Sequence, residues 1–230
     1  MKFELNPNII KLDDKIFWYK NFLSPETVDS ITGLLMRQNV RPHFFEEIQF
    51  KTTDFMPELF PVWEKVSDFI YPDLVIHPLL HTIYFGEGKE MLPHCDSPGE
   101  DMEEELTVPD VWGTCCYLSY GVITYFGDFT GGEVYYPHQN IEIPVQPGDL
   151  VIHGALKDYE HGVSKVKSGH RFAYSNFALK PEKNPGSFYN YGTPEYDSYS
   201  KDLSKWALPL IANDKSKIMQ QESGKPIEIN

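Results

Sequence analysis

Residues 147–179 read PGDLVIHGALKDYEHGVSKVKSGHRFAYSNFAL. Short apolar runs alternate here with turns that contain proline or glycine, and no helical spacing interrupts them, which is typical of successive antiparallel strands. We predict strands at 150–153, 162–166 and 171–179. Every second residue of the last strand is expected to face a core, because side chains alternate between the two faces of a strand.

The same pattern of short apolar runs separated by turns extends back to about residue 76. Four more short strands are predicted there, at 79–85, 114–120, 133–136 and 141–145, with glycine turns between several of them. Many short strands at close spacing indicate an antiparallel sandwich or barrel, and a jelly roll meets that description. The predicted fold class is therefore mainly β, with a jelly-roll core whose open end can hold a ligand.

The first third of the chain is predicted to be helical. Ser24 followed by Pro25 is typical of a helix start, and the apolar residues that follow fall on one helical face. A second helix begins near Pro61 and should end before Pro72. We therefore divide the chain, as one domain overall, into an N-terminal helical support region (1–75), a β-rich core packed against it (76–180) and a tyrosine-rich C-terminal extension (181–230).

Charge and composition exclude several classes of function. The 34 acidic and 20 basic side chains give a net charge of −14, so the phosphate backbone of a nucleic acid would be repelled. The chain has no apolar run of about 18 residues and no apolar leader, so no membrane span or secretory signal is expected, and the cytoplasm is predicted. The three cysteines, Cys95, Cys115 and Cys116, form no disulfide framework, which fits a reducing compartment.

His94, Asp96 and His161 are the candidate metal ligands. Residues two apart in an extended segment project to the same side, so His94 and Asp96 can converge on one ion. A histidine beside an acid is usually only a hydrogen-bonded pair, but His161 follows 67 residues later at the start of a predicted strand. Two histidines and one carboxylate make the facial triad of non-haem iron(II) oxygenases, which keeps positions open, whereas structural zinc prefers four ligands.

Arg171 lies ten residues after His161, on a predicted strand. A guanidinium can form two parallel hydrogen bonds with a carboxylate, so it is suited to anchor a ligand of that kind. An arginine is ordinarily a surface residue, but the alternation of this strand toward a core predicts burial and a binding role together.

These residues resemble the prolyl 4-hydroxylase branch of the 2-oxoglutarate/iron(II) dioxygenases, which includes the hypoxia-sensing prolyl hydroxylases. The likeness covers roughly residues 76–180 and is carried by His94-x-Asp96, His161 and the basic residue ten positions later. It implies a double-stranded β-helix, the jelly roll of this family, with Fe(II), 2-oxoglutarate as co-substrate, O2, and ascorbate as a further cofactor. The implied reaction is oxidative decarboxylation of 2-oxoglutarate to succinate and CO2, coupled to hydroxylation of an unactivated C–H bond.

The resemblance also assigns residues around the co-substrate. Tyr84, ten residues before His94, is similar to the family tyrosine that hydrogen-bonds the distal carboxylate of 2-oxoglutarate, although Phe85 takes that place if the turn is one residue shorter. Tyr117 resembles a second co-substrate tyrosine, with a core aromatic as the alternative. Many prolyl 4-hydroxylases have lysine in place of Arg171, and either cation can hold a carboxylate.

The other six histidines match no position of the triad and are predicted not to be ligands, with the reservation that His153 can reach the pocket from a neighbouring strand. They are His43, His77, His81, His138, His153 and His170.

The resemblance implies that the hydroxylated substrate is a prolyl residue of a peptide or protein, and a free amino acid or another small molecule is the alternative. Segment 97–111 has five acidic side chains between residues 100 and 105, so a lid that attracts a cationic substrate is one hypothesis and a solvated loop is the other. A non-catalytic, cupin-like metal-binding module is the alternative from a different class. It would have no use for a buried cation beside its ion. No nucleic-acid or membrane partner is expected.

Overall fold

Two antiparallel β-sheets pack face to face, and two helices cover the outer face of the larger sheet. The structure, a computed structural model, describes residues 1–37, 41–42, 51–53, 59–76, 81–96 and 119–179. The helices are α1 (Pro25–Leu35) and α2 (Phe60–Ile70), with short 3-10 helices at Lys2–Leu5 and Lys157–Tyr159. The strands are β1 (Ile9–Asp13), β2 (Ile16–Tyr19), β3 (Arg41–Pro42), β4 (Lys51–Thr53), β5 (Val75–Ile76), β6 (His81–Phe85), β7 (Met91–His94), β8 (Tyr120–Gly131), β9 (Val134–Tyr136), β10 (Ile141–Ile143), β11 (Leu150–Gly154), β12 (His161–Val163) and β13 (Val166–Leu179).

Within the described residues, the large sheet has the strand order β1-β2-β11-β8-β13-β6-β4-β3, and β5 pairs with β13. The small sheet has the order β10-β9-β12-β7. The longest pairing joins β13 to β8 and runs from Val166↔Gly131 to Ala178↔Tyr120. This two-sheet, antiparallel arrangement is the predicted jelly-roll plan.

Helix α1 begins where the sequence predicts. Ser24 is the N-cap, its hydroxyl accepts a hydrogen bond from the Thr27 backbone N–H at 3.3 Å, and Pro25 occupies the first turn. The apolar face buries Val28 and Ile31. Helix α2 likewise ends ahead of a proline, as predicted. No helix in the described ranges is long and apolar enough to cross a membrane.

The prediction that the first 75 residues are helical is only partly right. Strands β1 and β2 form a hairpin there, and β2 pairs with β11, so this region completes the large sheet. The run Ile16–Tyr19 is apolar on both faces because helices cover one face and the small sheet the other. A strand that is buried on both faces lacks the alternation of apolar and polar residues by which a strand is predicted from sequence.

Strand β8 was also not predicted. Its glycines at 121, 127 and 131 resemble turn punctuation, but all three lie inside a strand that pairs with β11 on one side and β13 on the other. Most of the predicted strand 114–120, together with segment 97–111 and the extension 181–230, lies outside the described residues.

Alternation along the strands of the large sheet separates two cores. Phe172 and Tyr174 of β13 join the cluster beneath the helices, while Ala173 joins the cluster between the sheets. Arg171 is on the same face of β13 as Ala173 and lies against aromatic rings of that second cluster. The space between the sheets is therefore where functional side chains meet.

We expect Asp149→Ala to destabilise the protein strongly. The buried Asp149 carboxylate accepts hydrogen bonds from Trp18 Nε1 and from the backbone N–H groups of Asn21 and Gln146, each at 2.9 Å. Removing it leaves three donors without a partner, which should lower the free energy of unfolding by about 3 kcal/mol or more. Urea denaturation measures the change. Asp14→Ala is the control, because the Asp14 side chain is 90% exposed and should matter by less than about 0.5 kcal/mol.

Candidate metal centre

The two triad histidines lie opposite one another in the small sheet. His94 ends β7 and His161 begins β12, and the two residues are direct cross-strand partners. Asp96 follows two residues after His94. Asp96 Oδ1 lies 3.9 Å from His94 Nε2 and 3.8 Å from His161 Nε2, and one ligand atom from each residue falls within 4.8 Å of the others. A metal ion with bonds of about 2.1 Å needs only small side-chain movements to bind all three.

Backbone carbonyls fix the orientation of both imidazoles. His94 Nδ1 donates to the Leu92 carbonyl at 3.2 Å, and His161 Nδ1 donates to the Tyr159 carbonyl at 3.1 Å. Because a carbonyl oxygen only accepts, the proton is on Nδ1 and the lone pair of Nε2 is free to face Asp96. A metal-binding histidine commonly has this arrangement.

A third histidine reaches the same place from the large sheet. His153 is on β11 and fully buried, its ring centroid is 4.1 Å from that of His161, and its Nε2 lies 3.8 Å from Asp96 Oδ2. Its Nδ1 donates to the Gly154 carbonyl at 3.2 Å. The sequence placed His153 outside the triad with the reservation that it can reach the pocket, and the structure brings it there.

Burial controls the protonation of these groups. Desolvation raises the pKa of Asp96 to about 6, against the opposing effect of His94. Desolvation lowers the pKa of His161 to about 4 and also lowers the pKa of His94, with the nearby His161 adding to the second effect. The pKa of His153 is shifted well below its ordinary value for the same two reasons. The imidazoles are therefore neutral near pH 7, as metal ligands must be.

Gly121 makes room for this cluster, a role that no feature of the sequence indicates. It is the cross-strand partner of His153. A Cβ at this position would lie 2.5 Å from His153 Nε2 and 2.7 Å from Asp96 Oδ2. Only a residue without a side chain allows both polar groups to occupy this space.

Arg171 is buried as predicted, with 1% of its surface exposed. Its guanidinium lies 5.0 Å from the ring centroids of Phe85 and Tyr125 and 5.8 Å from that of Phe129. Desolvation lowers its pKa to about 10, so it keeps its charge at neutral pH. Among the described residues, neither Nε nor Nη1 has a hydrogen-bond partner. Among the described residues, Glu133 acts on this charge and raises its pKa, but no group hydrogen-bonds to these two nitrogens, so the buried cation is suited to bind an anion.

Two buried tyrosines belong to the same interior as Arg171 and the triad. The ring centroid of Tyr136 is 5.9 Å from that of His161 and 5.7 Å from that of His153, while Tyr125 lies against Arg171. Neither hydroxyl has a hydrogen-bond partner among the described residues. Sequence reasoning did not select either tyrosine, because an inward-facing aromatic on a strand is usually a core residue.

The structure does not agree with the assignment of Tyr84 to the co-substrate. Tyr84 pairs with Phe172 and Phe85 pairs with Arg171, so Phe85 shares the face of Arg171 and Tyr84 points to the other side of the sheet. The Tyr84 hydroxyl is 2.7 Å from His170 Nδ1. Phe85, which takes this place if the turn is one residue shorter, is the residue that the strand pairing puts beside Arg171. Tyr117 lies outside the described residues.

The unpartnered atoms fit a metal ion and an organic acid together. Among the described residues, the acceptors Asp96 Oδ2 and His153 Nε2 have no partner, and neither do the donors Arg171 Nε, Arg171 Nη1 and the two tyrosine hydroxyls. Imidazole and carboxylate ligands suit iron(II) and leave coordination positions open. The donors suit the carboxylate of a small acid. The site therefore fits iron(II) and 2-oxoglutarate.

Solved structures of similar fold include several prolyl hydroxylases. A viral collagen prolyl hydroxylase from Paramecium bursaria Chlorella virus-1, in complex with 2-oxoglutarate, matches with a TM-score of 0.55 at 14% identity, over 73% of this chain and 96% of that one. A prolyl hydroxylase from Trichoplax adhaerens, in complex with a hypoxia inducible factor peptide fragment, matches with a TM-score of 0.55 at 14% identity, over 78% and 87%. A prolyl-4-hydroxylase from Pseudomonas putida matches with a TM-score of 0.52 at 14% identity, over 72% and 92%.

These likenesses confirm the predicted jelly-roll fold. At this level of identity they establish the fold, and the chemistry has to be argued from the residues of the site. No protein-family profile and no curated sequence matches this chain.

We expect Gly121→Ala to weaken metal binding. The added Cβ displaces Asp96 or His153, which should lower the affinity for cobalt(II) by about 10-fold or more. Calorimetric titration measures this, with circular dichroism to establish folding. Gly33→Ala is the matched control, since its Cβ meets only Arg37 Nη1 at an ordinary 3.5 Å. Unchanged affinity in a folded Gly121→Ala protein would contradict the described packing.

The pH dependence of metal binding should follow Asp96. Since its pKa is raised to about 6, lowering the pH through this value protonates the carboxylate, and a metal must then displace one proton. His161, with a pKa of about 4, stays neutral over most of that range. Affinity should therefore fall about tenfold per pH unit between roughly pH 6 and pH 4.5. Cobalt(II) titrations at several pH values test this, and a slope of two or three protons would mean that one or both histidines titrate together with Asp96.

Proposed function

We propose that the protein is an iron(II)- and 2-oxoglutarate-dependent dioxygenase. The observation that carries the proposal is the charge of Arg171, which is buried in an aromatic environment with Nε and Nη1 unpartnered among the described residues. A protein that only stored a metal would gain nothing from that charge and would bear the cost of its desolvation. A dicarboxylic acid could bind the metal with one end and Arg171 with the other. Such a ligand accounts for both the metal site and the buried charge of Arg171.

The proposal gives each residue of the site a role. His94 and His161 bind iron through Nε2, and Asp96 binds it through its carboxylate. When bound, iron(II) supplies the activation of O2 that couples decarboxylation of 2-oxoglutarate to C–H hydroxylation. One oxygen atom of O2 then enters succinate and the other enters the substrate, and CO2 is released.

The residues around Arg171 hold the co-substrate. Arg171 pairs with its distal carboxylate, and the neighbouring Tyr125 hydroxyl is a second donor on the same side. The Phe85 and Phe129 rings exclude water from this end, which strengthens the ion pair. The Tyr136 hydroxyl is a further hydrogen-bond donor, near the histidines.

The substrate we propose is a peptidyl proline. Support comes from the solved proteins of similar fold, which include a collagen prolyl hydroxylase and a prolyl hydroxylase with a bound peptide fragment. The net charge of −14 favours a cationic peptide over a nucleic acid. Incubation with peptide and amino-acid libraries, followed by mass spectrometry for a gain of one oxygen, separates a peptide substrate from a small molecule.

Arg171→Ala should raise the KM for 2-oxoglutarate. The lost contact is charge-assisted and contributes about 1.5–3 kcal/mol, which corresponds to roughly 10- to 150-fold. Arg171→Lys should have a smaller effect, because lysine keeps the charge. Succinate release with added iron(II) is the measurement. Lys167→Ala is the control on the same strand, since the Lys167 side chain is 73% exposed.

Three further outcomes test parts of the proposal. His161→Ala should bind iron(II) weakly and release no succinate, while its fold persists. If the wild-type protein with iron(II) and 2-oxoglutarate forms no succinate in the presence of any peptide or small molecule tested, the function is wrong. If Arg171→Ala leaves the KM unchanged, the co-substrate is anchored elsewhere.

A further inference from the structure

Two buried hydrogen-bond acceptors face each other beside the triad. His153 Nε2 and Asp96 Oδ2 are 3.8 Å apart, and neither has a hydrogen-bond partner among the described residues. His153 is fully buried, on a strand held by β2 on one side and β8 on the other. Its side chain cannot turn to solvent without disturbing the centre of the large sheet.

The hydrogen bonding of His153 decides which of its nitrogens carries the proton. Nδ1 lies 3.2 Å from the Gly154 carbonyl, which can only accept, so Nδ1 is the donor and Nε2 presents a lone pair. A lone pair that faces a carboxylate oxygen at 3.8 Å in a buried site is unfavourable. A cation between the two atoms removes this conflict.

His153 has the same arrangement as the two triad histidines. All three donate from Nδ1 to a backbone carbonyl and direct Nε2 toward Asp96. Two ligands on one metal ion, each at about 2.1 Å, can lie up to about 4.2 Å apart, so the 3.8 Å from His153 Nε2 to Asp96 Oδ2 is compatible with a shared ion. His153 lies outside the three-residue group whose ligand atoms all fall within 4.8 Å of one another, so sharing requires its Nε2 to move toward the triad. The glycine at position 121 leaves the space that this contact needs.

We propose that His153 is a fourth metal ligand in the protein without co-substrate, so that the resting centre has three histidines and one carboxylate. This goes beyond the proposed function and does not depend on it, because it concerns only the binding of the ion. It has a consequence for that function. Four protein ligands would leave two positions of an octahedral ion, enough for a bidentate 2-oxo acid, and any further ligand would require His153 to withdraw.

X-ray absorption spectroscopy of the full-length protein loaded with cobalt(II), without 2-oxoglutarate, tests the proposal directly. Multiple scattering from imidazole rings should correspond to three histidines in the wild type and two in His153→Phe, which keeps an aromatic ring in the buried position. The affinity for cobalt(II) should fall in this variant by about 100-fold or more, because loss of a ligand should cost at least as much as the roughly 10- to 100-fold that loss of a group outside the coordination sphere causes. Circular dichroism establishes that the variant is folded.

His170→Phe is the matched control. His170 is exposed and its Nδ1 contacts the Tyr84 hydroxyl, so its loss should change neither the imidazole count nor the affinity. Two imidazoles in the wild type would overturn the proposal, even if His153→Phe bound metal less tightly, because His153 would then act through a proton or a water molecule beside Asp96. Unchanged affinity in His153→Phe would overturn it as well.

The result is separable from the proposed activity. If three imidazoles bind the metal but no succinate forms, His153 is a ligand and the proposed oxygenase function is wrong. If succinate forms but only two imidazoles bind the metal, the function stands and His153 is not a ligand.

Discussion

The guanidinium of Arg171 lies between two sheets, against aromatic rings, and no carboxylate of the described residues forms an ion pair with it. A charge in this position disfavours the folded state unless an anion joins it. The protein tolerates it because the surrounding strands are held by long ladders, above all β13 with β8, and by the two cores on either side. An anion that binds there, as we propose for the co-substrate, would restore the stability that the buried charge costs.

The sheet geometry explains how distant parts of the sequence form one site. Cross-strand pairing places His94 beside His161 in the small sheet, and inward alternation on β11 brings His153 to them from the large sheet. Arg171 belongs to the large sheet too, on the same inward side. In each sheet, every second side chain of a strand points into the space between the sheets. The strands therefore orient the histidines and Arg171, and no flexible loop is needed for this.

The triad and Arg171 could be found from the sequence because their spacing is specific and their residue types are rare in a core. Tyr84 and Phe85 could not be told apart in the same way, since a shift of one residue in a strand reverses every side chain and only the pairing with β13 fixes the register. Tyr125 and Tyr136 look like ordinary core aromatics until their unpartnered hydroxyls are seen. Strand β8 was not predicted because glycine usually indicates a turn. Here the glycines lie inside the strand and let groups of neighbouring strands approach closely.

The triad is unevenly open to solvent. The side chain of His94 is 36% exposed, against 11% for Asp96 and 6% for His161, and Leu92, on the same strand, is 57% exposed. Strand β7 is also the last strand of the small sheet in the described part of the chain. If the proposed function holds, a bulky substrate would approach the ion along β7, whereas Arg171 is buried among the described residues. A polypeptide lying across β7 would then close that route, so 2-oxoglutarate should bind before the polypeptide and succinate should leave after it.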